Sequence, residues 1–255
     1  MMIRQALLSA ATVVALTLSA APAVASPSST QPADAGAVGG NGGLHDQLKG
    51  PFALDVTLSA LSDFRFRGIS YSDRKAAVQP SVALHHRSGF YAHVLASNVN
   101  DEEGDIEIDY AVGVAPEIGG FHFDASATYY AFPRIDHHNY WEFAGGVSRR
   151  VGRGTLGFTV AYAPRQGSAL KTRGLYRAVR GELPIARTPL KLTGSFGVED
   201  NDHYSGKRDW SLGASADVKG FLLGAAYVDT ARTHGDRLGK PTFLVSVSRS
   251  LSASF

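Results

Sequence analysis

The residues from which this chain could build chemistry are its nine histidines and the serines and aspartates scattered among them. Two adjacent pairs stand out, His85-His86 and His137-His138. Neighbours on a strand point to opposite sides, so His85 and His86 do not readily share a metal ion. His137-His138, beside Asp136, sits in a polar stretch where weak metal binding is one reading and a solvated loop the other. Asp101-Glu102-Glu103-Gly104-Asp105 offers the oxygen ligands calcium prefers but not the ligand spacing of a calcium loop, and reads plainly as charged surface. Hydrolysis by Ser–His or Asp–His pairs needs those groups to converge, and no nucleophile elbow or comparable local context marks any of them. With no cysteine, thiolate metal sites and disulfides are excluded. No catalytic, cofactor-binding or metal-ligating residue is therefore assigned, and no cofactor is expected.

The charged residues say more through their parity. Leu54, Val56, Leu58, Ala60, Phe64 and Phe66 alternate with Asp55, Thr57, Ser59, Asp63, Arg65 and Arg67. Ile106, Ile108, Tyr110, Val112 and Val114 alternate with Glu107, Asp109, Ala111 and Gly113. The same rule gives Phe121 to Tyr129, Trp141 to Val147, Leu156 to Tyr162, Leu190 to Val198, Trp210 to Val218, Phe221 to Tyr227 and a last strand from Phe243 to Phe255. Such period-two patterning marks antiparallel strands with one apolar and one polar face. Three further stretches, around Val78–His86, Phe90–Ser97 and Leu175–Ile185, read as strands without a settled facing, bringing the total to about twelve.

Connectors alternate between tight (Arg87-Ser88-Gly89, Ile118-Gly119-Gly120, Gly152-Arg153-Gly154, Ala186 to Pro189, Lys219-Gly220) and long and polar (68–76, 98–105, 133–139, 164–173, 200–208, 229–241). Short turns at one end, long loops at the other and an even strand number are the pattern of a bacterial transmembrane β-barrel. A soluble sandwich alternates too, but has no reason to sort its connectors this way. The fold expected is therefore all-β: a transmembrane, antiparallel, up-and-down barrel over 51–255. Aromatic residues at segment ends (Phe64, Phe66, Tyr129, Tyr140, Trp141, Tyr162, Trp210, Phe221, Tyr227) are expected to form interface girdles. Arg249 breaks the pattern, because it shares parity with Leu251 and Phe255 and would face lipid near mid-bilayer, at about 2–4 kcal/mol. A bulge, a tilted register or an intersubunit contact would relieve it.

Ahead of the barrel, Arg4, an apolar run from Ala6 to Leu18 and Ala23-Val24-Ala25 form a signal peptide over 1–25. Residues 26–50, rich in Ser, Pro, Ala and Gly, read as a disordered periplasmic lead-in. Past Ala25 no apolar run approaches the roughly 20 residues a spanning helix needs. A formal charge of +2, with Lys and Arg scattered singly or in pairs, gives no nucleic-acid face.

Several stretches resemble the TorF family, called porins by analogy and catalogued also as a conserved bacterial family of unknown function (Gcw_chp). They are Ser62-Asp63-Phe64-Arg65-Phe66-Arg67-Gly68-Ile69-Ser70, Ser88-Gly89-Phe90-Tyr91-Ala92, Ala96-Ser97-Asn98-Val99, Ile106-Glu107-Ile108-Asp109 and Asn139-Tyr140-Trp141-Glu142, in the family's order. The resemblance implies a protein of the Gram-negative outer membrane and supplies no catalytic residues. Expected partners are outer-membrane lipid and lipopolysaccharide, the barrel assembly machinery, which reads a terminal aromatic such as Phe255, and small hydrophilic solutes. Oligomeric state is left open.

Twelve strands tilted about 40° close into a cylinder roughly 24 Å across, leaving about 12 Å once side chains are placed. The lumen is expected to carry Asp55, Asp63, Glu107, Asp109, Asp124, Glu142, Glu182 and Asp217 against Arg65, Arg67, Arg150, Arg180 and Lys191. An acidic lean predicts a porin with mild cation preference. Three alternatives stand beside it: opposite charges that pair and close the pore, a barrel enzyme such as a hydrolase or protease, and a plugged structural or adhesion barrel.

Overall fold

The alternating segments become strands that hydrogen-bond in sequence order until the last meets the first. A computed structural model describes residues 50–99, 106–135, 138–167 and 169–255. The signal peptide, nearly all of the lead-in, the acidic stretch 101–105, Asp136 and His137 lie outside these residues.

The wall is built from twelve long strands: β1 (Phe52–Leu61), β4 (Ala77–His86), β5 (Phe90–Asn98), β6 (Ile106–Val114), β8 (Phe121–Ala131), β9 (Tyr140–Val151), β10 (Gly154–Ala163), β11 (Gly174–Pro184), β12 (Leu190–Asp200), β13 (Lys207–Val218), β14 (Phe221–Ala231) and β15 (Thr242–Ser254). Each pairs antiparallel with its chain neighbours, and β1 pairs with β15 from Ala53↔Ser254 to Leu61↔Ser246, closing the barrel. Three short elements complete the fold: β7 (Glu117–Ile118), set against the start of β8, a hairpin of β2 (Arg65–Phe66) and β3 (Ile69–Ser70), and a 3₁₀ turn at Arg237–Gly239. The tight connectors and both strand ends Phe52 and Phe255 lie at one rim, and the long connectors lie at the other.

Polarity is inverted relative to a soluble protein. Leu58, Val112, Phe143, Leu212 and Val245 project outward and are exposed, whereas Glu107, Asp109, Glu142 and Lys207 point inward and are buried. An apolar belt around a polar interior is what a barrel needs in lipid, where closure leaves no unpaired strand edge. The three unsettled strands now have a facing. Val78, Pro80, Val82 and Leu84 face out against Gln79, Ser81 and His85, Phe90 and Val94 face out against Tyr91, Leu95 and Ser97, and Val179 and Leu183 face out against Tyr176, Ala178 and Glu182.

Two expectations are corrected here. The first strand does not run on through Phe66: β1 ends at Leu61, and the chain from Ser62 to Ala76 turns inward. Phe64 and Phe66 are buried and so belong to no lipid-facing girdle, and Tyr140 likewise faces inward, stacked on Tyr130 at 4.7 Å. Arg249 does face outward, and a staggered register accommodates it. β15 overshoots β14, whose final pair is Leu222↔Ser248, so Arg249 stands level with Phe221, the first residue after the Lys219-Gly220 turn.

Candidate functional site: an inward loop clamped across the lumen

The loop after β1 is built around a two-residue hairpin turn. Arg67 and Gly68, between β2 and β3, both have positive φ (48° and 83°), as such a turn requires. Glycine is needed at position 68 for space as well, since a Cβ there would come within 2.9 Å of the Asp209 Cβ. An arginine in this left-handed conformation is strained and persists only where its surroundings hold it.

Those surroundings are a set of buried charges from distant strands. The Arg67 guanidinium grips Glu142 through Nη2, with both carboxylate oxygens at 2.7 Å, and donates through Nη1 to Glu199 at 3.1 Å. Its plane lies between the rings of Phe66 and Tyr176, 4.5 and 4.3 Å from their centroids. Lys207 locks the other side, with its Nζ 2.6 Å from Glu199 and donating at 2.6 Å to the Arg67 carbonyl. Burial alone would lower the Arg67 pKa, but Glu142 and then Glu199 overcome it and hold the group well above the ordinary arginine value. It stays charged.

Counting round the ring from β1 shows what this clamp does. Glu142 is on β9, reached through β4, β5, β6 and β8, and Glu199 is on β12, reached the other way through β15, β14 and β13. A residue of the loop after β1 that binds both strands has crossed the lumen. The rest of the loop is tied down along its length. Phe64 packs with Leu61, Ala77, Val99 and Tyr71, and Phe66 rests edge-on against Tyr130. Asp63 pairs with Arg65 at 2.8 Å and accepts from Ser70 and Ser72, while Arg65 also donates to the Gly68 carbonyl. At the rim, Arg74 donates to the carbonyls of Arg237, Lys240 and Pro241, and Asp73 pairs with Arg237. Hydrogen bonds from Arg237 and Lys75 hold the Asp73 carboxyl below the usual range.

The structure thus brings Asp63, Arg65, Arg67 and Glu142 together, though the first three lie on the inward loop and not on a wall strand. Glu107 and Asp109 stand beside this cluster on β6, both 2% exposed, and neither Asp109 oxygen accepts a hydrogen bond among the described residues. The remaining predicted lumen residues lie nearer the turn rim. Asp124 accepts from the Tyr91 hydroxyl at 3.0 Å, and Glu182 pairs with Lys191 at 3.1 Å. Asp55 accepts from Ser252 and stands 3.5 Å from His85, the inward member of the first histidine pair. Arg180 is inward near Asp209, Arg150 is inward but exposed opposite Thr155, and Asp217 accepts from the Gly220 amide and so closes a turn. Sequence reasoning missed Glu199, Lys207, Asp209 and Tyr176. Parity held the signal for the first three, since Glu199 continues the inward series of Lys191, and Lys207 and Asp209 continue that of Asp217.

Comparison with known proteins agrees with this architecture. No curated protein sequence matches the chain. Among solved structures the barrel is similar to the KdgM porin (TM-score 0.53, 6% identity, 80% of this chain and 99% of that one). It is similar also to the NanC porin (0.51, 8%, 79% and 99%) and to an outer-membrane channel from Pseudomonas putida F1 (0.52, 9%, 88% and 100%). At such identities the likeness is one of fold. Residues 45–251 match the family described as "Bacterial protein of unknown function (Gcw_chp)", and the chain belongs to that family.

Proposed function

We propose that this chain is a porin-like channel of the Gram-negative outer membrane that passes small hydrophilic solutes through a lumen narrowed by its own Ser62–Ala76 loop. The observation that carries this reading is the combination of a closed polar-lined barrel with a loop clamped across it from β1 to β9 and β12. An inward loop narrows the roughly 12 Å lumen that twelve strands would otherwise leave. The narrower TorF grouping, a channel and not an enzyme, and a mild cation preference belong to the same reading. The preference is supported by the lining, in which acidic residues outnumber basic ones.

A second reading has support of its own: Arg67, paired with both glutamates, acts as a latch and the resting barrel is shut. Planar-bilayer recordings of the purified full chain and of Arg67→Ala separate the two. Steady conductance from the native protein supports the open constriction. Conductance only from the variant supports the latch, and none from either folded protein overturns the channel.

A further inference from the structure

The apolar outer belt is interrupted near the turn rim by two arginines held in the same way. Arg149 on β9 stands directly opposite Phe121, the first residue of β8, and its guanidinium carbon lies 4.6 Å from that ring centroid. Arg249 on β15 stands level with Phe221, the first residue of β14, at 4.7 Å. In both, an outward arginine faces an outward phenylalanine that begins a strand after a tight turn. Both arginines are exposed, and neither makes an ion pair among the described residues. Arg153 and Lys219, exposed in the turns beside them, add positive charge of the same sign.

A cation on the lipid side of a barrel is costly at the midplane and nearly free at the interface, where the long side chain reaches the headgroups. Contact with the ring holds the guanidinium through its face and uses none of its N–H groups, which leaves the fork available to a bidentate acceptor. A phosphodiester supplies both the charge and the paired oxygens. We infer that Arg149 with Phe121, and Arg249 with Phe221, are two binding sites for the phosphate of an anionic phospholipid in the leaflet at the turn rim. In a bacterial barrel that rim faces the periplasm. The inference is independent of whether the lumen conducts.

Native mass spectrometry of the full chain, folded in detergent and offered dioleoyl phosphatidylglycerol or dioleoyl phosphatidylcholine, tests it. The native protein should retain two phosphatidylglycerol molecules and discriminate against phosphatidylcholine. Arg149→Gln and Arg249→Gln should each lose one, each lost arginine weakening retention roughly fivefold. Phe121→Leu and Phe221→Leu, which keep the charge but not the stacking, should fall between. Only protein that still shows the heat-resistant folded band is compared. If the glutamine variants fold poorly, the double variant Arg149→Lys with Arg249→Lys, which keeps the charge but loses the planar fork, should retain less phosphatidylglycerol than the native protein, and undiminished retention there overturns the bidentate sites. Equal retention of both lipids by the native protein, or undiminished phosphatidylglycerol on the double glutamine variant, overturns the inference. So does an arginine-dependent preference for purified lipid A over phosphatidylglycerol, which would assign the sites to the other leaflet's chemistry.

Discussion

Arg67 combines a strained backbone, two glutamate partners and two aromatic rings, so its removal should be felt through the loop and not through the wall. Breaking a buried ion pair commonly costs about 3–5 kcal/mol, because a charge is left unpaired. Here the freed loop can leave the lumen and Glu142 and Glu199 can hydrate, so little of that cost should reach global unfolding. Arg67→Ala is expected to leave the urea midpoint of the barrel almost unchanged and to raise single-channel conductance roughly twofold or more, toward that of the bare lumen. Arg67→Lys keeps the charge but loses the fork and the stacking, and should lie between the two. The rim tether has its own pH signature. Asp73 is held below the usual carboxylate range by Arg237 and Lys75, so its contribution is present above the ordinary aspartate pKa and lost as pH falls through the depressed one. Current fluctuations in bilayers should therefore grow on acidification below about pH 4 in the native protein. Asp73→Asn should show them already at neutral pH and gain nothing further on acidification.

At the scale of strands, the barrel's seam and its close packing are the exposed points. Beyond Ser248, β15 pairs only with β1, and the contact ends in reciprocal backbone bonds of 3.0 Å between Phe52 and Phe255 with their rings stacked at 5.9 Å. Removing Phe255 should fray this one-sided stretch and lower the amount of heat-modifiable folded protein in outer-membrane fractions. Wild-type amounts would show that the seam does not depend on it. Gly197 on β12 lies under the Tyr176 ring, and a Cβ there would meet that ring at 2.6 Å. Gly197→Val should push Tyr176 off Arg67 and raise conductance in the same direction as Arg67→Ala, by less. The twelve wall strands and the inward facing of Asp55, Glu107, Asp109, Asp124 and Glu142 were legible because parity separates polar from apolar faces. Parity failed at Phe64 and Phe66 because an apolar residue packed inside a plug keeps the same alternation as one facing lipid. It was silent on β4 and β11, where Ala77, Ala83 and Ala178 face inward while Pro80 and Arg177 face out, which removes the contrast between faces. The clamp was not legible at all, since nothing local to Arg67 names partners on β9 and β12.

For the molecule as a whole, the deciding quantity is the charge of the lumen. Glu199 and Asp209 join the acidic residues and Lys207 the basic ones. The inward set becomes Asp55, Asp63, Glu107, Asp109, Asp124, Glu142, Glu182, Glu199, Asp209 and Asp217 against Arg65, Arg67, Arg150, Arg180, Lys191 and Lys207, an excess of four carboxylates in ten against six. Pairing neutralises Asp63 with Arg65, Glu182 with Lys191, and the Arg67–Glu142–Glu199–Lys207 chain internally. The surplus therefore rests on the groups outside those pairs, of which Asp55, near the turn rim, keeps a partly solvent-exposed side chain. A fixed negative charge in a narrow, low-dielectric passage attracts cations, and its reach is set by screening. The Debye length is about 10 Å at 0.1 M salt and about 3 Å at 1 M, so the first spans a lumen of this size and the second does not. Reversal potentials in asymmetric potassium chloride should accordingly show a mild cation preference that is clear near 0.1 M and fades toward 1 M. Asp55→Asn should reduce that preference with little change in conductance at high salt, because it removes charge and almost no volume. Strong anion selectivity of the native protein would overturn this charge reading while leaving the channel intact, whereas an unchanged preference in Asp55→Asn would move the selecting charge elsewhere in the lining.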